Sequence, residues 1–271
     1  MSSGVGLRQS EPLQSSGMAR AFLTAEWRNL AMLNYEVDPS LLRPLVPEGT
    51  ELDSWEGHTF VSLVGFLFAN TRLLGLPVPL HRTFEEVNLR FYVRRAVDGE
   101  VRRAVTFIRE LVPRYAIALV ARLAYNEPYV AVPMHHVYGE ALSTGVPSYV
   151  EYGWRLPSGR SSMRVRPSGS GDDAVPGSEE EFITEHYWGY TRQRDGSTVE
   201  YRVAHPPWRV WSVDAPEVTG DLAALYGPTF ARILAAPPAS AFLADGSAVT
   251  VYAPMRLAPS GSSARARHTV V

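Results

Sequence analysis

The sequence predicts an α+β chain built mainly of antiparallel strands, and three observations predict it. The dipeptides Asp98-Gly99 and Asp195-Gly196 and the tetrapeptide Pro157-Ser158-Gly159-Arg160 each separate segments with strand character, as hairpin turns do. Strand-like segments outnumber the three longer helix-like ones. The helix-like segments do not alternate with strands in the way a parallel sheet requires.

The elements follow in chain order. Residues 1–17 are rich in Ser, Gly and Gln with little to bury, which predicts a disordered tail and makes Met18 an alternative start. Phe22 to Val37 reads as extended. Asp38-Pro39 then has the form of an N-cap followed by proline at the first helical position, and Pro44 and Pro47 keep that helix short. Trp55-Glu56-Gly57 is a turn, and His58 to Phe68 a buried strand. Gly75, Pro77 and Pro79 form a loop into Phe84 to Arg94, which Asp98-Gly99 joins to a strand over 102–111.

After Pro113 the run RYAIALVARLAY suits a buried helix that Asn126 and Pro128 stop. Tyr129 to Tyr138, Tyr149 to Leu156 and Ser161 to Val165 read as strands, and 167–178 as an exposed loop or insertion. Ser178 and Glu181 have capping-box spacing ahead of Phe182, Ile183, Tyr187 and Tyr190, predicting a helix through them. Ser197 to His205 is a strand with Val199, Tyr201 and Val203 on one face, and Arg209 to Val213 continues extended. Asp221 to Ala235 is helical in pattern with a break at Gly227-Pro228, and a last strand covers Ala248 to Met255. The tail from 258 to 271 is expected to be disordered. With no linker or repeat inside, residues 18–257 are expected to form one domain.

Composition excludes several functions. Of 271 residues, 45% are hydrophobic and 20% charged, and the net charge of -2 with pI near 6.4 gives no reason to expect nucleic acid or an anionic membrane. No cysteine occurs, so disulfides and thiolate chemistry are absent. All 26 basic residues are arginine. Without lysine no side chain can form a Schiff base, and arginine stays protonated and cannot replace it. The first 20 residues lack the apolar core of a secretory leader, and no apolar run approaches the roughly 18–20 residues that span a bilayer. These features predict a soluble, cytoplasmic protein. GxGxxG, GxxxxGK[ST] and GxSxG are all missing, and no cofactor is expected.

The stretch FEEVNLRFYVR carries the candidate site. Taken alternately, Val87, Leu89, Phe91 and Val93 make an apolar face, while Glu86, Asn88, Arg90, Tyr92 and Arg94 make a polar one. Alternation alone leaves two readings open for the polar face, a wet sheet surface or the wall of a pocket.

Three motifs, FEEVNLRFYVR, ARLAYNEPY and FITEHYWGYTRQRDGSTVEYRVAHPPW, resemble the YqjF-like family of bacterial proteins, over about residues 22–215. That family is grouped with the acetoacetate decarboxylase-like superfamily. The resemblance implies a closed, cone-like antiparallel β-barrel with packed helices and an internal pocket. It places Glu86 where the decarboxylases carry a strand glutamate, and Pro128-Tyr129 where they carry a proline and the Schiff-base lysine. The lysine is missing, so the implied pocket comes without that reaction.

With the barrel implied, the polar face turns inward and its buried charges need partners, which Glu86 and Arg90 would provide for each other. Arg90 is then the group for a carboxylate or carbonyl ligand, and Glu86 the candidate general acid or base of a lyase or hydrolase. Asn88, Tyr92, Arg122, Tyr129 and His205 complete the expected binding residues. Tyr129 offers a hydrogen bond to an oxyanion, against the plainer role of a half-buried tyrosine. His205 is fixed by Pro206-Pro207, as a ligand group or a structural corner, and Arg122 either pairs in the core or lines the pocket. His135 and His136, adjacent on a strand, face opposite ways and do not chelate one metal. His186 is expected on the predicted helix as a surface or half-buried residue. The partner expected is a small carboxylate or keto compound, with no nucleic acid and no membrane, and with homo-oligomer formation left open. The remaining alternative is a structural or interaction protein whose barrel is filled by its own side chains.

Overall fold

The computed structural model describes residues 20–79, 81–113 and 128–257. The expected helix after Pro113, Arg122 within it, and both expected tails lie outside the described residues. Of the rest, β1 (Ala21–Glu36), β2 (Glu51–Leu52), β3 (Phe60–Leu73), β4 (Leu76–Pro77) and β5 (Phe84–Val97) come first, with the short helix α1 (Pro39–Leu42) between β1 and β2. Then follow β6 (Glu100–Val112), β7 (Tyr129–Ala131), β8 (Met134–Tyr138), β9 (Val150–Leu156), β10 (Gly159–Asp173) and helix α2 (Glu179–Thr184). Strands β11 (Trp188–Arg192), β12 (Thr198–Ala204) and β13 (Arg209–Thr219), helix α3 (Ala223–Leu234), and β14 (Ser240–Tyr252) and β15 (Met255–Arg256) complete the order.

Hairpin chemistry explains the local pairings. Asp98 and Gly99 take φ of 51° and 85°, the left-handed pair a two-residue turn needs, and β5 and β6 pair outward from Val97 and Glu100. Asp38 caps α1 by accepting from the Ser40 amide at 2.8 Å.

The sheet closes on itself. From β12 the order runs β11, β6, β5, β3, β1 and β14, and β14 pairs with β12 again, making a ring of seven strands. Beyond β14, the limb β13-β10-β9-β8 leaves the ring. The pairings are antiparallel apart from β11 and β7, which run parallel to β6.

Strand alternation sorts the ring's side chains into two cores. Val87, Leu89, Phe91 and Val93 of β5 are fully buried against Tyr152 and Trp154 of β9, Met163 of β10 and Leu225 of α3. Burial of each such side chain is worth about 1.5–3 kcal/mol. The other face turns Phe84 and Tyr92 toward Phe60, Phe66, Phe182 and Trp208. It is therefore chiefly a second sheet limb, rather than helices alone, that covers the outside of β5.

Three other expectations are corrected. Residues 167–173 are not loop: β10 continues through them, paired with β13, and Gly171 leaves room for Trp211, which a Cβ would meet at 2.1 Å. Helix α2 ends at Thr184, and Tyr190 belongs to β11, whose pairing with β12 outweighs the local helical pattern. The strand expected over Ala248 to Met255 is the second half of β14, which begins at Ser240 because β1 offers partners as far as Asn34 and ends at Tyr252, with Met255 in β15. Among the described residues no helix is long and apolar enough to cross a membrane.

Candidate functional site

The inner face of the ring lines a partly open cavity of about 220 Å³, so its interior is not filled by its own side chains. The walls are largely apolar, with Trp27, Phe66, Phe68, Phe84, Phe107 and Trp208 prominent. Polar groups enter from a few places. Glu86, Asn88 and Arg90 come from β5, Glu110 from β6, Tyr129 from β7, Thr184 and His186 from the end of α2 and the turn after it, and His205 from the segment after β12.

The β5 row is deeply buried: Glu86 is 3%, Asn88 2% and Arg90 8% exposed. Glu86 accepts from Asn88 Nδ2 at 3.1 Å on Oε1 and from the Tyr129 hydroxyl at 3.3 Å on Oε2. Arg90 donates through Nη2 to the Ile183 carbonyl at 3.0 Å. Its Nε–H has no partner, and Arg90 makes no ion pair among the described residues. The expected pairing of Glu86 with Arg90 does not form. Four residues along a strand separate the two by about 13 Å, beyond the reach of an ion pair.

Tyr92 is placed differently from the rest of its row. Its hydroxyl bonds to Ser62 Oγ at 2.6 Å, and Ser62 donates to Asn34 at 2.6 Å, so Tyr92 belongs to a hydrogen-bonded floor and is not among the cavity's lining residues. Arg90 lies over the Tyr92 ring with Cζ 5.6 Å from its centroid, and the His186 ring lies 4.7 Å from the same ring.

His186 is 6% exposed, more deeply buried than the surface or half-buried helix position expected for it, because the chain has already left α2. Neither of its ring nitrogens makes a well-formed hydrogen bond among the described residues, although the Ile183 carbonyl lies beside the ring. Burial, with the Arg103 and Arg90 guanidiniums nearby, holds its imidazole well below the usual range, and the Ile183 carbonyl opposes this more weakly. His205 stacks on Trp208 with centroids 4.2 Å apart and approaches the Pro206 carbonyl through Nδ1 at 2.9 Å. Burial lowers its pKa as well, partly offset by that carbonyl.

The cavity thus brings together Glu86, Asn88, Arg90, Tyr129 and His205. His186, Glu110 and Thr184 were not legible as members of the site. Outside it, His136 bonds to Glu85 at 2.6 Å, while His135 lies against Gly153 on the opposite face of β8.

Comparison with known proteins places this geometry. The chain is 29% identical over 191 residues, 70% of its length and 75% of the relative's, to the uncharacterized protein YqjF of Bacillus subtilis (strain 168). The acetoacetate decarboxylase of Legionella pneumophila superposes with a TM-score of 0.62 at 12% identity, covering 92% of this chain and 93% of the other. The enduracididine biosynthesis enzyme MppR complexed with pyruvate gives 0.61 at 15% identity, covering 91% and 95%. At such identities the likeness shows the fold, which is acetoacetate decarboxylase-like. The model of the DUF2071 family of uncharacterized conserved proteins matches residues 24–248, and the chain belongs to that family.

Proposed function

We propose that the ring is the closed, cone-like barrel of acetoacetate decarboxylase-like proteins and that its cavity binds a small carboxylate or carbonyl compound without Schiff-base chemistry. One observation carries this reading: Arg90 is a buried guanidinium facing the cavity whose Nε–H has no partner and which makes no ion pair among the described residues. A buried charge is costly unless paired and hydrogen-bonded. An anionic ligand supplies the missing partner, and a guanidinium suits a carboxylate geometrically. The structural relative MppR has been solved with a keto acid, pyruvate, which supports the ligand class. The sequence has no lysine, so binding does not proceed through a lysine imine.

A thermal-shift screen of small carboxylic and keto acids tests the reading. A ligand at about 100 times its Kd stabilises by about 2.7 kcal/mol, which raises the melting temperature by about 5 °C or more in a domain of this size. At least one acid should do this with the wild-type protein and fail to do so with Arg90→Gln. A screen with no shifts, or shifts that survive the substitution, would refute it.

A second reading is favoured by the contact between the Tyr129 hydroxyl and Glu86. In it Glu86 acts as general acid or base on a carbonyl ligand, with Tyr129 beside it as a hydrogen-bond donor, the chemistry of a lyase or hydrolase. Glu86→Gln should then abolish product formation while leaving the unfolding transition in place. Unchanged turnover would remove Glu86 from the reaction.

A further inference from the structure

Among the described residues, several side chains facing the cavity keep hydrogen-bonding capacity with no protein partner, and its mix of donors and acceptors describes the ligand; Arg90, Asn88 and His186 carry the argument. Arg90 contributes a donor, Nε–H. Asn88 has given its Nδ2 to the Glu86 carboxylate, which fixes the amide's orientation and leaves Oδ1 as a free acceptor. His186 makes no well-formed hydrogen bond at either ring nitrogen, and a neutral imidazole presents one donor, beside which the Ile183 carbonyl lies, and one acceptor. Burial and the neighbouring guanidiniums keep that imidazole neutral, so its acceptor lone pair is available near neutral pH. Trp27 Nε1–H and the Thr71 hydroxyl also line the cavity without partners, so the unused capacity includes several donors and at least two acceptors, Asn88 Oδ1 and one His186 nitrogen.

A simple carboxylate or a keto acid carries only acceptor oxygens. Either would satisfy the donors and leave two buried acceptors facing groups that cannot donate, which costs binding free energy. An O–H on the ligand removes part of that cost. Arg90 and His186 are also close enough to act on one small molecule. They lie against the same Tyr92 ring, and Arg90 donates to the carbonyl of Ile183, three residues before His186.

We infer that the cavity is selective for a hydroxy acid, with the carboxylate at Arg90, a hydroxyl on the second or third carbon donating to His186, and an apolar tail among Phe66, Phe68 and Phe84. The inference rests on the carboxylate reading above and adds the hydroxyl, the tail and the role of His186 as the residue that determines specificity.

Calorimetric titration of the full chain with matched acids tests it. Each set contains a hydroxy acid, its keto analogue and the unsubstituted acid, with the substituent at position 2 or 3 and a methyl or phenyl end. The hydroxy member of at least one set should bind about tenfold tighter or more than both companions. In His186→Phe, which keeps an aromatic ring against Tyr92 and Phe182, that advantage should shrink to within about threefold through loss of hydroxy-acid affinity, while the unsubstituted acid is unaffected. His186→Gln, which retains a donor and an acceptor, should keep the preference. Equal binding within every set, or a preference that persists in His186→Phe, would overturn the hydroxyl assignment and leave the carboxylate reading standing. Absence of binding by every acid would sink both. The wild-type comparison decides the ligand class whether or not a variant folds.

Discussion

Arg90 and His186 both lie against one tyrosine ring, Tyr92, and the two arrive there by routes that differ in how visible they are in the sequence. Arg90 was legible, since strand alternation puts it on the same face as Glu86 and Asn88, and only the orientation of that face needed the fold. His186 was not, because Ser178, Glu181 and the apolar spacing after them imitate a helix that in fact ends at Thr184. Its burial has a consequence for stability. An imidazole in the unfolded chain titrates near 6.5, and that of folded His186 lies well below this. As pH falls below about 6.5 the unfolded state takes up a proton that the folded state refuses, so stability is lost from there down to the folded value. His205, also lowered, acts with the same sign. The melting temperature should therefore fall between about pH 7 and about pH 5, and more steeply in the wild type than in His186→Phe. Equal slopes in the two proteins would show that His186 is not held neutral in the fold.

At the level of elements, hairpin turns marked the β5–β6, β9–β10 and β11–β12 pairings in advance, whereas a bulge decided which residues of β6 enter the cavity. Counting from Asp98-Gly99, regular pairing continues as far as Arg90 with Phe107, and then the register slips so that Leu89 meets Arg109 and Asn88 meets Glu110. The slip turns Glu110 inward and sends Arg109 outward, where its Nε donates to the Leu225 carbonyl at 3.1 Å. Nothing in the alternation of residues 102–111 marks that bulge, so Glu110 could not be assigned from sequence. The packing of the outer limb on the ring depends on a different detail. Gly65 on β3 faces the limb, and a Cβ there would meet the Tyr152 ring at 2.7 Å and Met163 Sδ at 2.8 Å. Gly65→Val should destabilise the protein by about 1–3 kcal/mol, as overpacking does, measured by urea denaturation. A change below about 0.5 kcal/mol would mean that the limb moves freely against the ring.

At the scale of the whole molecule, the ring is held unevenly. The β11–β12 hairpin pairs with β6 only through Trp188 with Ala104 and Gly189 with Val105, and with β14 only through Val203 with Val251 and Ala204 with Thr250. Side chains reinforce it. Buried Glu200 accepts from Arg102 at 2.7 Å, from Arg95 at 3.4 Å and from the Tyr190 hydroxyl at 2.6 Å, and Arg102 stacks over Trp188 at 4.2 Å. The hairpin also presents Trp188, Tyr201 and Val203 to the cavity, so a ligand inside the ring braces the section of wall with the shortest backbone seams. Short seams open at lower free energy than long ones, which makes amide exchange over 188–204 sensitive to occupancy. The most direct measurement is hydrogen exchange of the wild type and Arg90→Gln with and without millimolar 2-hydroxy-3-phenylpropionate. Slowed exchange over 84–94 and 188–204 in the wild type alone is the result predicted for an acid bound inside the ring at Arg90. Identical exchange with and without the acid, or slowing that persists in Arg90→Gln, would contradict it.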